Sequence, residues 1–199
     1  MAHSLSVTGL ILSGGRGSRM GGVDKGLQPF RGRTLVEWVV ERIEPQVDDL
    51  LINANQNLDR YLELGHPVLR DRIAGFAGPL AGLHAALAQV QGDLVVMVPC
   101  DSPFLPRDLV QQLSGALLQA DADIAFVTAG GRPHPVFSVC RASLADCLGA
   151  YLQSGGRKVD AWYATLNSVE VAFDRQAEAS RHSNTLGELE ALQADWRAG

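Results

Sequence analysis

Between Val7 and Gly26 the chain reads VTGLILSGGRGSRMGGVDKG. An apolar run ends in a loop with six glycines (Gly14, Gly15, Gly17, Gly21, Gly22 and Gly26), and Arg16, Arg19 and Lys25 are threaded between them. Glycine has no Cβ and accepts positive φ, so backbone N–H groups in such a loop can close around a ligand. A concave set of N–H donors with added cations suits phosphate, and a nucleoside triphosphate is the expected guest. Two familiar phosphate motifs are absent. There is no G-x-x-x-x-G-K-[ST], and Gly15-x-Gly17 is followed by Met20 where a dinucleotide loop would carry glycine. The alternative reading is a plain flexible surface loop.

Four further groups have residue types that can do chemistry. In Pro99-Cys100-Asp101-Ser102-Pro103, a carboxylate follows an apolar run and is pinned by two prolines. It is placed to hold Mg²⁺, which needs only one or two carboxylates beside phosphate oxygens, or else to cap the next turn. No His–Cys arrangement supports Cys100 as a nucleophile, so packing is its expected role. Asn53 and Asn55 can offer donor and acceptor to a base or ribose, or simply form a turn; Asp71 alone carries no signal. Gly78-Pro79-Leu80-Ala81-Gly82 lets a flat ring lie on backbone, or is an ordinary helix start. His134 beside Pro135 can hydrogen-bond a substrate. Gly155-Gly156-Arg157-Lys158 can receive a second phosphate or form a solvated basic turn.

These residues need a scaffold, and the pattern supplies alternating strands and helices. Strands are expected at Val7–Ser13, Asp49–Asn53, Asp93–Pro99, Asp123–Thr128, Pro135–Cys140 and Ser168–Phe173. Helices are expected from Thr34 to Pro45, over Pro79–Val90, from Pro106 to about Ala120, and over Ala142–Gln153 and Thr185–Arg197. Gly130–Pro133 and Gln153–Arg157 read as loops. This alternation predicts an α/β fold, a mostly parallel twisted sheet with helices on both faces. Ligands bind such sheets beyond the carboxyl ends of the strands, where the glycine loop, Asn53 and Asp101 all fall.

Composition narrows the class. The 199 residues, 46% hydrophobic and 20% charged, predict one domain (1–199) with a sizeable core. A net charge of -5 argues against nucleic-acid binding. Yet between Gly14 and Arg33 five basic residues face one acid, Asp24, which suits a compact anion. Three cysteines without a C-x-x-C pair give no zinc or disulfide framework. Val7–Leu12 is too short for a signal-peptide core or a membrane span, so a cytoplasmic, membrane-free chain is expected.

Taken in order, LxGGxxxRMGGxDKG, NAN, an isolated Asp, GPLAG, PCDxP, HP and a late NT resemble the molybdenum cofactor guanylyltransferase family from Leu10 to Leu189. The resemblance implies a Rossmann-like nucleotidyltransferase fold akin to the nucleotide-diphospho-sugar transferases. The implied reaction joins GMP from GTP to molybdopterin with Mg²⁺, releasing pyrophosphate. Leu12, Ser13, Gly14, Gly15, Lys25, Asn53 and Asp71 would line the nucleotide site, Asp101 would ligate Mg²⁺, and Arg19 would clamp phosphates. Gly78, Gly82, His134 and Asn184 would lie toward the pterin. The resemblance further implies a monomer that makes transient contacts with enzymes supplying or accepting the cofactor. Three positions depart from the pattern: Ser13 replaces alanine, His182 replaces an asparagine and Leu186 replaces a proline.

Three other readings compete. A molybdopterin cytidylyltransferase would do the same chemistry with CTP; its relatives carry alanine where Gly14 stands, so Gly14 and the Asp24–Lys25 pair favour guanine. A sugar-phosphate nucleotidyltransferase shares the glycine–arginine loop, but its usual extra domain has no room in this length. A non-catalytic nucleotide-binding regulator would not need Arg19, Lys25 and Asp101 together.

Overall fold

Val7–Leu12 (β1) is apolar on both faces because it is covered on both, and the sheet is built around it. The computed structural model describes residues 5–13, 24–73 and 78–173. Gly14, Gly15, Arg16, Arg19, His182, Asn184, Leu186 and the expected helix Thr185–Arg197 lie outside them.

After β1, Pro29–Phe30 (β2) and Arg33–Thr34 (β3) form a small hairpin. Its two turn residues, Arg31 and Gly32, both have positive φ (47° and 82°), the geometry a two-residue hairpin turn requires. Leu35–Ile43 (α1) follows, then Asp49–Asn53 (β4), Leu58–Leu62 (α2), Val68–Leu69 (β5), Pro79–Leu87 (α3) and Leu94–Pro99 (β6). Leu109–Gln119 (α4), Ile124–Ala129 (β7), Arg132–Arg141 (β8), Ala145–Gln153 (α5), Val159–Tyr163 (α6) and Ser168–Ala172 (β9) complete the order.

Seven strands form one sheet in the order β5-β4-β1-β6-β8-β7-β9. All pairs are parallel except those of β8, which runs antiparallel to both β6 and β7. Period-2 alternation sends successive side chains to opposite cores. Ile11, Ile52, Val96 and Val98 pack with α1 and α4, whereas Leu10, Val95 and Met97 pack with α3, α5 and α6. The expected mostly parallel sheet with helices on both faces is what forms. Among the described residues no helix is long and apolar enough to cross a membrane.

Several boundaries differ from expectation, for local reasons. The helix expected at Pro106 starts at Leu109, because the Pro106 carbonyl accepts Gln46 Nε2 (2.9 Å) and Asp108 is not helical. The helix expected to reach Val90 ends at Leu87, where the N–H groups of Gln89 and Val90 both turn back to Ala86 O. The loop expected over Gly130–Pro133 shrinks to Gly130 and Gly131, both at positive φ, so Arg132 and Pro133 join the ladder. The first turn of the helix expected at Ala142 is a tighter 3₁₀ turn, Ala142–Leu144.

Candidate functional site at the carboxyl rim

Register brings the site together. Leu12 pairs with Asn53 on one side and Pro99 on the other, so three strands end level. Ser13 N–H donates to Asn53 O (2.7 Å) and Cys100 N–H to Leu12 O (3.1 Å), carrying the alignment one residue past the strands.

On the β4 side stands an amide–carboxylate network. Asn53, 3% exposed, donates through Nδ2 to Asp71 Oδ1 (2.9 Å) and Leu69 O (3.3 Å). Asn55 Nδ2 donates to Asp71 Oδ2 (2.9 Å), and Asp71 N–H donates back to Asn55 Oδ1 (3.0 Å). Each Asp71 oxygen accepts one amide here, and a carboxylate has about four lone-pair sites in all. A Cβ at Gly82 would come within 2.5 Å of Asn53 Oδ1 and 2.7 Å of Leu12 Cδ2, so glycine lets α3 close on this network. Gly78, which precedes α3, has φ +73°, and no atom of the described residues lies within 4 Å of where a Cβ would point.

On the β6 side, Asp101 is buried just beyond the strand. Lys25 Nζ stands 3.3 Å from its Oδ2, and the two side chains are 25% and 12% exposed. Cys100 lies beneath them. Burial, and then the charge of Asp101, push its thiol up, so it stays protonated at neutral pH and packs as the sequence predicts.

The residues on both sides of Lys25 are tied down. Gly26 O accepts Val36 N–H (2.9 Å) and Gln28 O accepts Leu35 N–H (3.0 Å), so the segment after Lys25 rests on the first turn of α1. At Asp24, Tyr61 Oη donates to Oδ1 (2.6 Å) and Asn57 Nδ2 to Oδ2 (3.0 Å). Tyr61 is fully buried, and burial raises its phenol, which therefore remains a donor. Ser13 Oγ is buried facing Tyr61 and Cys100 without a hydrogen bond of good geometry among the described residues.

His134 lies on β8 opposite Val127, its ring 6.5 Å from that of Phe137. Just after it the register slips: Phe126 pairs with Ser138 but Val127 with His134, so Pro135, Val136 and Phe137 form a bulge. Tyr163 Oη holds that bulge, 2.8 Å from both Pro135 O and Ser138 Oγ. Arg157 Nη1 donates to Leu152 O (2.8 Å) and Gly156 O (2.5 Å), which engages it in closing α5.

The structure thus joins Leu12, Ser13, Asn53, Asp71 and Gly82 in one contact group and Lys25 and Asp101 in another, side by side on one rim. Gly14, Gly15, Arg19 and Asn184 fall outside the described residues. Asp24, which the sequence offers only through the Asp24–Lys25 pair, is held by Asn57 and Tyr61, which the sequence does not single out. The spacing of Asn57 and Tyr61 marks only a short amphipathic turn, and their partner is 37 residues from Tyr61.

Comparison with known proteins agrees with this arrangement. Residues 9–169 match the family of the MobA-like NTP transferase domain. The chain is 51% identical to a molybdenum cofactor guanylyltransferase of Ralstonia nicotianae, covering 96% of this chain and 98% of that one. It is 50% identical to another of Cupriavidus metallidurans, with 97% of each covered. The crystal structure of molybdopterin-guanine dinucleotide biosynthesis protein A from Archaeoglobus fulgidus has the same fold, with a TM-score of 0.79 at 24% identity over 94% of this chain and 97% of that one. On sequence and fold alike, this chain belongs to the molybdenum cofactor guanylyltransferase family.

Proposed function

We propose that this protein transfers GMP from GTP to the phosphate of molybdopterin, forming the guanine dinucleotide cofactor and releasing pyrophosphate. Family membership supports the reaction. The observation that carries it to this chain is the level ending of β4, β1 and β6, which sets the Asn53–Asp71–Asn55 network beside the Lys25–Asp101 pair.

In this reading guanine lies over Leu12 and Ser13 and is read by Asn53 and Asp71. Guanine presents N1–H and N2–H donors along one edge, and the remaining lone pairs of Asp71 accept them. Cytosine presents an acceptor there, which a carboxylate repels. The triphosphate runs toward Gly14, Gly15, Arg19 and Lys25. Gly78, His134 and Asn184 face the pterin, whereas Gly82, expected there too, packs against Asn53 and Leu12 on the base side.

An oxygen of the molybdopterin phosphate attacks the α-phosphorus in line; the bond from that phosphorus to the bridging oxygen breaks, and pyrophosphate leaves. The attacking phosphate is already ionised, so no general base is needed. Catalysis is positioning and charge stabilisation. Lys25, Arg19 and the loop N–H groups stabilise charge on the triphosphate and the leaving pyrophosphate.

The donor set fits Mg²⁺. Asp101 is one buried carboxylate at the rim, and among the described residues no group of three or more His, Cys, Asp or Glu forms an all-protein cage. Asp101 would hold the ion, which when bound neutralises phosphate charge and aligns the reacting oxygens. The 199 residues would act as one nucleotidyltransferase domain, a cytoplasmic monomer with its three cysteines as free thiols.

The test is turnover with Mg²⁺, molybdopterin and GTP or CTP in parallel, reading pyrophosphate and the nucleotide-linked pterin. Product with GTP only, lost in Asp101→Ala, is expected. Product with CTP only would overturn the guanine assignment. No product from either, with GTP bound and active pterin present, would overturn the reaction.

A further inference from the structure

We propose that Tyr61 and Asp24 are positioning residues for Lys25, a role that rests on the functional reading above. Lys25 is a long side chain at the end of a glycine-rich loop, and such a chain needs a fixed base to keep its ammonium at one place. That base is built from outside the loop. Tyr61 Oη donates to Asp24 Oδ1 (2.6 Å), a short charge-assisted bond, and Asn57 Nδ2 holds Oδ2 (3.0 Å). Both donors belong to α2 and the residue before it, on the crossover after β4. Gln28 Nε2 donates to Asp24 O (3.0 Å) and Gln28 N–H to Lys25 O (3.1 Å), so the backbone on both sides of Lys25 is fastened. Gly26 completes the clamp: a Cβ there would meet Tyr61 Oη at 2.6 Å and Cys100 Sγ at 3.2 Å.

The geometry points to one consequence. The Tyr61 hydroxyl acts through Asp24: removing it leaves the carboxylate held, among the described residues, through Oδ2 only, by Asn57, and loosens the Lys25 ammonium from its place beside Asp101. A shift of about 1 Å in a charge-stabilising group is worth as much as a hundredfold in rate.

The experiment is a double-mutant cycle on the full chain, with Tyr61→Phe, Lys25→Met and the double variant. Turnover, KM for each substrate and Tm are all read. Tyr61→Phe is expected to lower kcat about tenfold, with KM for molybdopterin unchanged, because only the lysine is misplaced. In the Lys25→Met background the same change is expected to matter by less than about twofold, because coupled residues are not additive. Equal effects in both backgrounds would overturn the positioning role and leave Tyr61 as packing alone. So would wild-type kinetics in Tyr61→Phe. Lys25→Met with full turnover would instead overturn the function assigned to Lys25. A second pair guards against a folding defect. Asp24→Asn still accepts from Tyr61 and can pair with a flipped Asn57 amide, so it is expected to recover most of the turnover that Asp24→Ala loses. Equal losses in the two would overturn the proposal, since the carboxylate charge and not its hydrogen-bonded placement would then be what matters.

Discussion

The ammonium of Lys25 lies 3.3 Å from Oδ2 of Asp101 and joins the end of the glycine-rich loop to the end of β6. The ammonium and the carboxylate offset each other's charge, and in the proposed reaction Lys25 would meet the phosphates while Asp101 would hold the ion. Removing either is expected to damage catalysis far more than folding. Lys25→Met and Asp101→Asn should each lower turnover by roughly 10²–10³, the scale of losing one preorganised electrostatic contact. The pair is partly solvated, so either change should alter stability by no more than about 1 kcal/mol. Pyrophosphate release and thermal melts on the same preparations check both halves.

Asp71 should decide the base. Among the described residues it accepts one amide bond on each oxygen, from Asn53 and Asn55, which fixes its plane; in the proposed reaction its other lone pairs accept from guanine. ITP lacks the exocyclic amine of guanine, so it forfeits one bond to a carboxylate. The wild-type protein is expected to prefer GTP over ITP by about 10- to 100-fold in kcat/KM, the worth of a hydrogen bond to a charged group. Asp71→Asn should narrow that ratio to a few-fold, because an amide can offer a donor where guanine also donates. A ratio unchanged by Asp71→Asn would move base recognition elsewhere.

The legible part of this protein is its sheet centre. β1 and β6 are buried on both faces, so they read as almost continuous apolar runs, and Asp101 follows the end of β6. What was not legible depends on contacts distant in sequence. Tyr61 looks like a core residue of a five-residue helix, and only folding reveals that its hydroxyl meets Asp24. Pro135 to Cys140 reads as one even strand, but three of its residues bulge out where Tyr163 Oη can reach Pro135 O and Ser138 Oγ. Gly82 reads as a helix-start glycine open to a ligand, but its missing Cβ makes room for Asn53 and Leu12. Periodicity reports burial; it carries no record of which polar atoms meet.

The two glycines of Gly78-Pro79-Leu80-Ala81-Gly82 should therefore respond differently to alanine. At Gly82 the new methyl would lie 2.5 Å from Asn53 Oδ1 and push on the base-side network. Overpacking of that kind costs about 1–3 kcal/mol, and Gly82→Ala should also raise KM for GTP. At Gly78 no atom of the described residues lies where a Cβ would point, and the penalty is the backbone, with φ 73° and ψ −160° in a region kept almost wholly to glycine, about 1–3 kcal/mol. Gly78→Ala should lower Tm while leaving KM for GTP near wild type. Equal KM changes in the two variants would contradict this division.

The start of α1 supplies a pH test. Thr34 donates through N–H (2.6 Å) and Oγ1 (2.7 Å) to Glu37 Oε2, a capping-box contact under the loop that carries Lys25. These bonds, from the side chain first and the backbone second, hold the Glu37 carboxyl below its ordinary value of 4.5. A carboxyl whose folded pKa is depressed binds fewer protons folded than unfolded, so stability rises with pH across the interval. The contribution is fully present above 4.5 and is lost as pH falls through the lower, folded value. Glu37→Ala should cost about 1 kcal/mol at pH 6, the scale of a lost helix cap. The gap in Tm between wild type and variant should hold above pH 4.5 and narrow as the pH falls below it, as Glu37 takes up a proton first in the unfolded and then in the folded chain. Other carboxylates titrate in both proteins and cancel in the difference. A gap that stays constant with pH would assign the loss to side-chain packing and not to the ionised cap.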